Sequence, residues 1–256
     1  PPCLKFREEG VYESRGYSDA LWQLNEALNQ KFEGKLPLFD VKKRSDLREK
    51  LTQDFAAEKD DASVPVKPQK ILWDVRQVLG DGDILLSDVG AHKMWISRYF
   101  QCVEPNTCLI SNGFCTMGFA MPGSIGAKIA FPERRVLSIS GDAGFMMNVQ
   151  DLETAVRRKL NIVAMVWEDG EYGLIKWKQQ NGFDGKHSDL AFTNPDFEAL
   201  ASSFGMWGKK VTSTDQIVPL LEEAFSQEGP ALLSVPVDYS ENMKLSDRLG
   251  QVSVPI

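Results

Sequence analysis

The chain has 256 residues, 43% hydrophobic and 25% charged, which places it among ordinary globular proteins of one or two domains. Its 29 Lys+Arg against 36 Asp+Glu leave a net charge of −7, which argues against general nucleic-acid binding, since that needs a basic face. No apolar run approaches the roughly 18–20 residues of a membrane span, so no membrane partner is expected.

The first residues, Pro1-Pro2-Cys3-Leu4-Lys5, include no initiator Met and no signal- or transit-peptide pattern. The chain therefore reads as a piece of a longer protein, with a cytoplasmic location expected and an organelle left open. Four cysteines (Cys3, Cys102, Cys108 and Cys115) form no C-x-x-C pair and read as reduced thiols. Two histidines, His92 and His187, are too few for a His-rich zinc site.

Residues 1–62 are charge-rich and helix-leaning. Leu21, Leu24, Leu28 and Phe32 recur at helical spacing, as do Leu47, Leu51 and Phe55. A polar stretch from Glu58 to Ser63, followed by Pro65 and Pro68, reads as a linker. The expected organisation is a lead-in over 1–62 and a compact domain over 63–256.

From about residue 67 apolar runs alternate with amphipathic stretches. The periodicity predicts helices over roughly 68–80, 91–100, 118–131, 147–159, 171–180, 195–204 and 214–227. Strands are predicted at Ile84–Ser87, Thr107–Ile110, Arg135–Ile139, Ile162–Trp167 and Ala231–Val235, with a weaker one at Met206–Val211. Short and mostly apolar, these suit strands buried on both faces. The fold class is α/β: a doubly wound, mainly parallel six-stranded sheet with helices on both faces. Ligands in such folds bind where strand C-termini open into loops.

Three strand ends carry small or acidic residues: Ser87-Asp88-Val89-Gly90-Ala91-His92, Ser140-Gly141-Asp142-Ala143-Gly144 and Trp167-Glu168-Asp169-Gly170-Glu171-Tyr172-Gly173. Each reads as strand, tight turn and helix start, where free N–H groups favour phosphate. Asp142 and Asp169 lie 27 positions apart, each just past an apolar strand. If those strands are neighbours, both carboxylates meet at one sheet edge, and hard oxygens beside a phosphate cradle suit Mg2+. A single Asp at such a junction more often caps a helix; the pair favours the metal-diphosphate reading.

Gly141-Asp142-Ala143, followed by Asp169, resembles the thiamine-diphosphate motif that begins Gly-Asp-Gly. More specifically, the chain resembles the acetolactate synthase family, nearest its catabolic, FAD-independent type, in the stretches Asp88–Phe100, Ile110–Gly118, Leu152–Lys159 and Val235–Asn242. The resemblance spans roughly 67–243 and identifies a C-terminal diphosphate-binding domain, with 1–62 as the end of the middle domain and its linker. It implies thiamine diphosphate and Mg2+ as cofactors, and a transferase or lyase that condenses two pyruvates to 2-acetolactate with loss of carbon dioxide. Branched-chain amino-acid synthesis and catabolism both stay open, as does FAD use.

Carried over by residue, the resemblance implies metal binding by the Asp142 and Asp169 side chains and the Glu171 carbonyl. Ala91, His92, Gly141, Ala143, Gly144, Tyr172 and Gly173 would hold the cofactor. Met117 would wedge beneath it, and the Cys115 carbonyl would accept a hydrogen bond from its aminopyrimidine. Leu174 and Lys178 would line the substrate pocket. The plainer readings are core for Met117, a helix-start histidine for His92, a buried thiol for Cys115 and a solvated face for Glu153, Arg157 and Arg158.

The family's activating glutamate belongs to a pyrimidine-binding domain of a second subunit, which no part of this chain resembles. A homodimer or homotetramer is therefore implied, and the chain alone is expected to be inactive. Three departures stand out: Ala143 for the second Gly, Asp169 for Asn, and Lys178 where the catabolic type has Gln and the biosynthetic type Trp. The loop 181–194 reads as a lid over the site or an ordinary surface loop. The alternatives are another 2-keto acid decarboxylase or carboligase of the superfamily, or a noncatalytic module with that fold. No G-x-G-x-x-G follows the first strand, which argues against a dinucleotide-binding oxidoreductase.

Overall fold

The computed structural model describes residues 17–33 and 41–245. Cys3 and the tail after Leu245 lie outside the described residues. The chain divides into two compact units, Pro1–Leu51 and Thr52–Ile256. The first holds α1 (Tyr17–Phe32) and most of α2 (Val41–Ala56), in line with the apolar spacing. On α1, Leu21, Trp22 and Leu24 are exposed.

The second unit runs α3 (Pro68–Val78), β1 (Ile84–Ser87), α4 (Ala91–Tyr99), β2 (Cys108–Ile110), α5 (Ala120–Ala130), β3 (Val136–Gly141), α6 (Asp142–Met147) and α7 (Asp151–Arg157). It continues with β4 (Val163–Glu168), α8 (Gly173–Gly182), α9 (Phe197–Ser203), β5 (Trp207–Lys210), a 3-10 turn at Thr214–Gln216, α10 (Ile217–Phe225) and β6 (Ala231–Pro236). All six strands are parallel, in the order β2-β1-β3-β4-β6-β5.

Alternate strand residues face opposite sides, and each side has its own helices. Leu85, Leu137, Ile139, Met165 and Leu233 share one apolar cluster with residues of α3, α4 and α10. Ile84, Leu86, Val136, Ala164 and Leu232 share the other with residues of α5, α7 and α9. Burial on both faces explains why the strands read as unbroken apolar runs. Among the described residues, no helix is long and apolar enough to cross a membrane.

Four predicted helices shift for local reasons. The helix expected over 147–159 starts only at Asp151, after the short α6 that was not predicted ends at Met147, because Asn148 leaves helical geometry and its amide donates to the Gly118 carbonyl at 2.8 Å. The helix expected from 118 starts at Ala120, since Gly118 has φ +77°. The one expected from 171 starts at Gly173, since the Tyr172 N–H bonds the Leu190 carbonyl at 3.0 Å. The last opens as a 3-10 turn.

The direction in which successive strands are added to the sheet reverses between β1 and β3, although the strands themselves stay parallel. From β1 the sheet grows outward to β2, and from β3 it grows the other way through β4. This is the switch point at which doubly wound sheets open a crevice. Leu137, fully buried in central strand β3, tests the core that holds this edge. Leu137→Ala should cost about 2–5 kcal/mol in urea unfolding; a loss well under 1 kcal/mol would show that the sheet centre is not the packing core.

Candidate functional site

Strands β3 and β4 pair with Gly141 opposite Trp167, so the residues that follow leave the sheet side by side. Asp142 begins α6 and is 1% exposed. Its Oδ2 accepts three hydrogen bonds: from the N–H groups of Asp169 (3.1 Å) and Gly170 (2.8 Å), and from Asn194 Nδ2 (2.7 Å). Its Oδ1 accepts one, from the Ala143 N–H at 2.8 Å.

Asp169 stands beside it with little compensation. Burial, and next the Asp142 carboxylate, push its carboxyl up to about 7; a backbone N–H from Glu171 and the charge of Lys176 act the other way. The Glu171 carboxylate is turned to the Lys176 ammonium. Among the described residues, the Glu171 carbonyl accepts only the Gly173 N–H, at 3.0 Å in its turn, which leaves a second lone pair.

A second buried carboxylate organises the neighbouring strand end. Asp88, after β1, is fully buried. Its Oδ1 lies 2.6 Å from His92 Nε2, and its Oδ2 accepts the Gly118 N–H at 2.7 Å. One carboxylate thus ties the first turn of α4 to the loop that carries Cys115 and Met117. Gly118 needs its left-handed φ of +77°, and a Cβ there would lie 2.7 Å from the Asn148 amide. A Cβ on Gly144 would lie 2.2 Å from Asp88 Oδ2, so only glycine lets α6 start this close. Cys115 also has a left-handed backbone, at φ +52°. Ala143 is the second residue of α6 and is not among the positive-φ residues, so its methyl adds no strain there.

All these strand ends open into one cavity. The structure brings together Ala91, His92, Cys115, Met117, Gly141, Asp142, Ala143, Gly144, Asp169, Glu171, Tyr172, Gly173, Leu174 and Lys178 on its wall. Every site residue named from the sequence is there, with Val89, Gly90, Ile175 and Tyr239 beside them. Helices α4, α6 and α8 begin at the wall, and helix starts offer free N–H groups to an anion. Lys178 is exposed, at the rim.

Three residues carry weight that the sequence reading did not assign. Asp88 and Asn194 hold the loops as described. Tyr239, after β6, lines the cavity. Burial first, then the carboxylates of Asp169, Asp142 and Asp88, hold its hydroxyl well above the ordinary tyrosine range. The acidic strand end marked Asp88, and Tyr239 lay inside a stretch of family resemblance. Asn194 had only its place in the loop 181–194. That loop divides: α8 runs on to Gly182, residues 183–189 are exposed, and residues 190–194 return to the site.

Among the described residues, no three His, Cys, Asp or Glu side chains come together as a complete metal cage. Two carboxylates and one carbonyl make part of a shell. This suits a hard cation that takes its other oxygens from phosphate and water, as Mg2+ does. The Asp142–Asp169 pair supplies the attraction, and the glycine-lined wall leaves room for an anion.

The family profile described as "Thiamine pyrophosphate enzyme, C-terminal TPP binding domain" matches residues 88–235. The chain belongs to the thiamine-pyrophosphate enzymes. Its TPP-binding domain is similar to acetolactate synthase of Bacillus subtilis (strain 168), 39% identical over 206 residues, covering 80% of this chain and 36% of that protein. It is similar to the catabolic acetolactate synthase of Raoultella terrigena, 36% identical over 182 residues, covering 71% of this chain and 32% of the relative. The large subunit of acetolactate synthase isozyme 2 from Escherichia coli (strain K12) is 38% identical over 161 residues, covering 62% and 29%. The resemblance to the acetolactate synthase family is borne out by these relatives, of whose length the chain spans about a third. The solved Rhodococcus jostii RHA1 thiamine diphosphate-dependent 4-hydroxybenzoylformate decarboxylase shares the fold. It superposes with TM-score 0.64 at 21% identity, covering 69% of this chain and 33% of its own. The doubly wound TPP-binding fold read from the sequence is therefore the fold observed.

The raised Asp169 carboxyl predicts a pH dependence of the cation-free TPP-binding domain. An acid with a folded-state pKa above its unfolded value binds the extra proton only when folded. Stability is then present at low pH and lost as pH rises from the ordinary carboxylate range through about 7, by at most about 4 kcal/mol. Asp169→Asn should flatten this loss and unfold at higher temperature than the wild type at pH 8 without divalent cations. Equal pH profiles for the two would show that the fold does not raise the Asp169 carboxyl.

Proposed function

We propose that this domain supplies the diphosphate- and Mg2+-binding half of a carboligase site that condenses two pyruvates to 2-acetolactate with release of carbon dioxide. The observation that carries this is the pairing of buried Asp142 with half-buried Asp169 at the β3/β4 edge, opening into a cavity walled by helix starts and glycines. The similarity to acetolactate synthases supports the choice of reaction.

In this reading thiamine diphosphate supplies the electron sink for decarboxylation. The chain's residues do the rest. Asp142, Asp169 and the Glu171 carbonyl hold Mg2+. The Gly144 N–H would donate to the diphosphate, as would groups of the first turn of α4 at Ala91 and His92, with Ala143, whose N–H is held by Asp142 Oδ1, lining the same cradle. Met117 and Leu174 give apolar walls that orient the rings and keep water away. The Cys115 carbonyl, at a left-handed turn held through Gly118 and Asp88, accepts a hydrogen bond from the aminopyrimidine. Tyr239 keeps its proton and offers a neutral hydroxyl. Lys178, at the rim, presents an ammonium to the carboxylate of the 2-keto acid.

The activating glutamate comes, in this proposal, from a pyrimidine-binding domain of a second subunit, in a homodimer or homotetramer. The chain by itself is then inactive, and residues 1–62 are the end of a middle domain and its linker. Catalysis is tested on protein that includes the pyrimidine-binding domain, given pyruvate, thiamine diphosphate and Mg2+. The expected product is 2-acetolactate, with Asp142→Ala lowering turnover by at least about a hundredfold. Free acetaldehyde as the main product would replace this proposal with a 2-keto acid decarboxylase.

A further inference from the structure

We infer that Asn194 is a positioning residue for the metal half of the site: it commits Oδ2 of Asp142 to the protein and leaves Oδ1 for the cation. The inference rests on the metal reading above and deepens it.

The hydrogen bonds around Asp142 are unequal. Oδ2 takes three donors within 3.1 Å and Oδ1 takes one. A carboxylate oxygen has two lone-pair directions, so Oδ2 is filled and Oδ1 keeps one open. Asn194 supplies the shortest of the three bonds to Oδ2, at 2.7 Å. The amide orientation is fixed by chemistry. Turned over, its oxygen would face a carboxylate oxygen at that distance, acceptor against acceptor. The other end of the amide, Oδ1, is buried with no hydrogen-bond partner. Among the described residues Asp142 is thus the one polar contact of this side chain, and a buried carbonyl without a donor is a cost the fold bears to keep it there.

The backbone delivers Asn194 from both sides. Before it, the chain pairs antiparallel with the metal loop. The Tyr172 N–H bonds the Leu190 carbonyl at 3.0 Å, the Phe192 N–H bonds the Gly170 carbonyl at 2.9 Å, and Glu171 bridges Ala191. The rings of Tyr172 and Phe192 lie 5.1 Å apart. After it, Pro195 favours an extended residue at 194. Asp196 then caps α9, accepting from the N–H groups of Glu198 and Ala199. Phe197 packs on Phe145 of α6 with ring centroids 5.8 Å apart. The helix that Asp142 begins and the segment that carries Asn194 therefore meet in the core as well as at the carboxylate.

The test uses Asn194→Ala in the whole chain, with Mn2+ as the probe. Calorimetric titration of Mn2+ into protein in the presence of excess thiamine diphosphate should show affinity lowered 10–100-fold, the range for a residue that orients a metal ligand. Hydrogen exchange on the cation-free chain should show the Asp169 and Gly170 amides exchanging about tenfold faster, with the Val163 and Met165 amides of β4 unchanged. Mn2+ affinity within twofold of wild type would overturn the inference and leave the metal reading standing. Exchange rising uniformly across β3 and β4 would also overturn it, reducing Asn194 to a general fold contact. A wild-type chain that takes up no Mn2+ alongside the cofactor would instead overturn the metal reading itself.

Discussion

Two neighbouring carboxylates, Asp142 buried and Asp169 half-buried, are the constraint around which this domain is built. The parallel register of β3 and β4 leaves Asp142 and Asp169 no choice but to emerge together. Burial first, and next the Asp142 charge beside it, raise the Asp169 carboxyl. The protein answers with N–H groups more than with cations. Four donors surround Asp142, while the Lys176 ammonium is paired with Glu171. A site with surplus acceptors and little positive charge of its own favours a bound divalent ion.

A third carboxylate serves a different end. Asp88 touches His92 and Gly118, and its bulk forbids any side chain on Gly144. Through it the ends of β1 and β3 and the loop before α5 share one hydrogen-bonded centre. The two-sided core makes this possible. With apolar clusters on both faces, the strands hold their ends in place, and short loops can carry the chemistry.

The sheet was legible in the sequence because strands buried on both faces announce themselves as apolar runs. The weak signal at β5 has a physical cause: it is an edge strand, with Lys209 and Lys210 exposed. Helix starts were less legible. Tyr172 and Asn148 leave the helix pattern for partners distant in sequence, the Leu190 and Gly118 carbonyls, which local periodicity does not encode. The site residues were legible through the Gly-Asp motif and the family resemblance, and they share one cavity wall. Asn194 was not, because its meaning depends on an antiparallel return of the chain to the metal loop. Asp88 was visible as an acidic strand end, yet its two partners, four and thirty residues away, appear only in the fold.

The central claim is that Asp142 and its neighbours bind thiamine diphosphate through a divalent cation. The most direct test is calorimetric titration of the chain with thiamine diphosphate, with and without Mg2+, on wild type and Asp142→Ala. The account predicts binding that requires the metal and disappears in the variant. Binding that proceeds equally well without Mg2+, or survives Asp142→Ala, would contradict it.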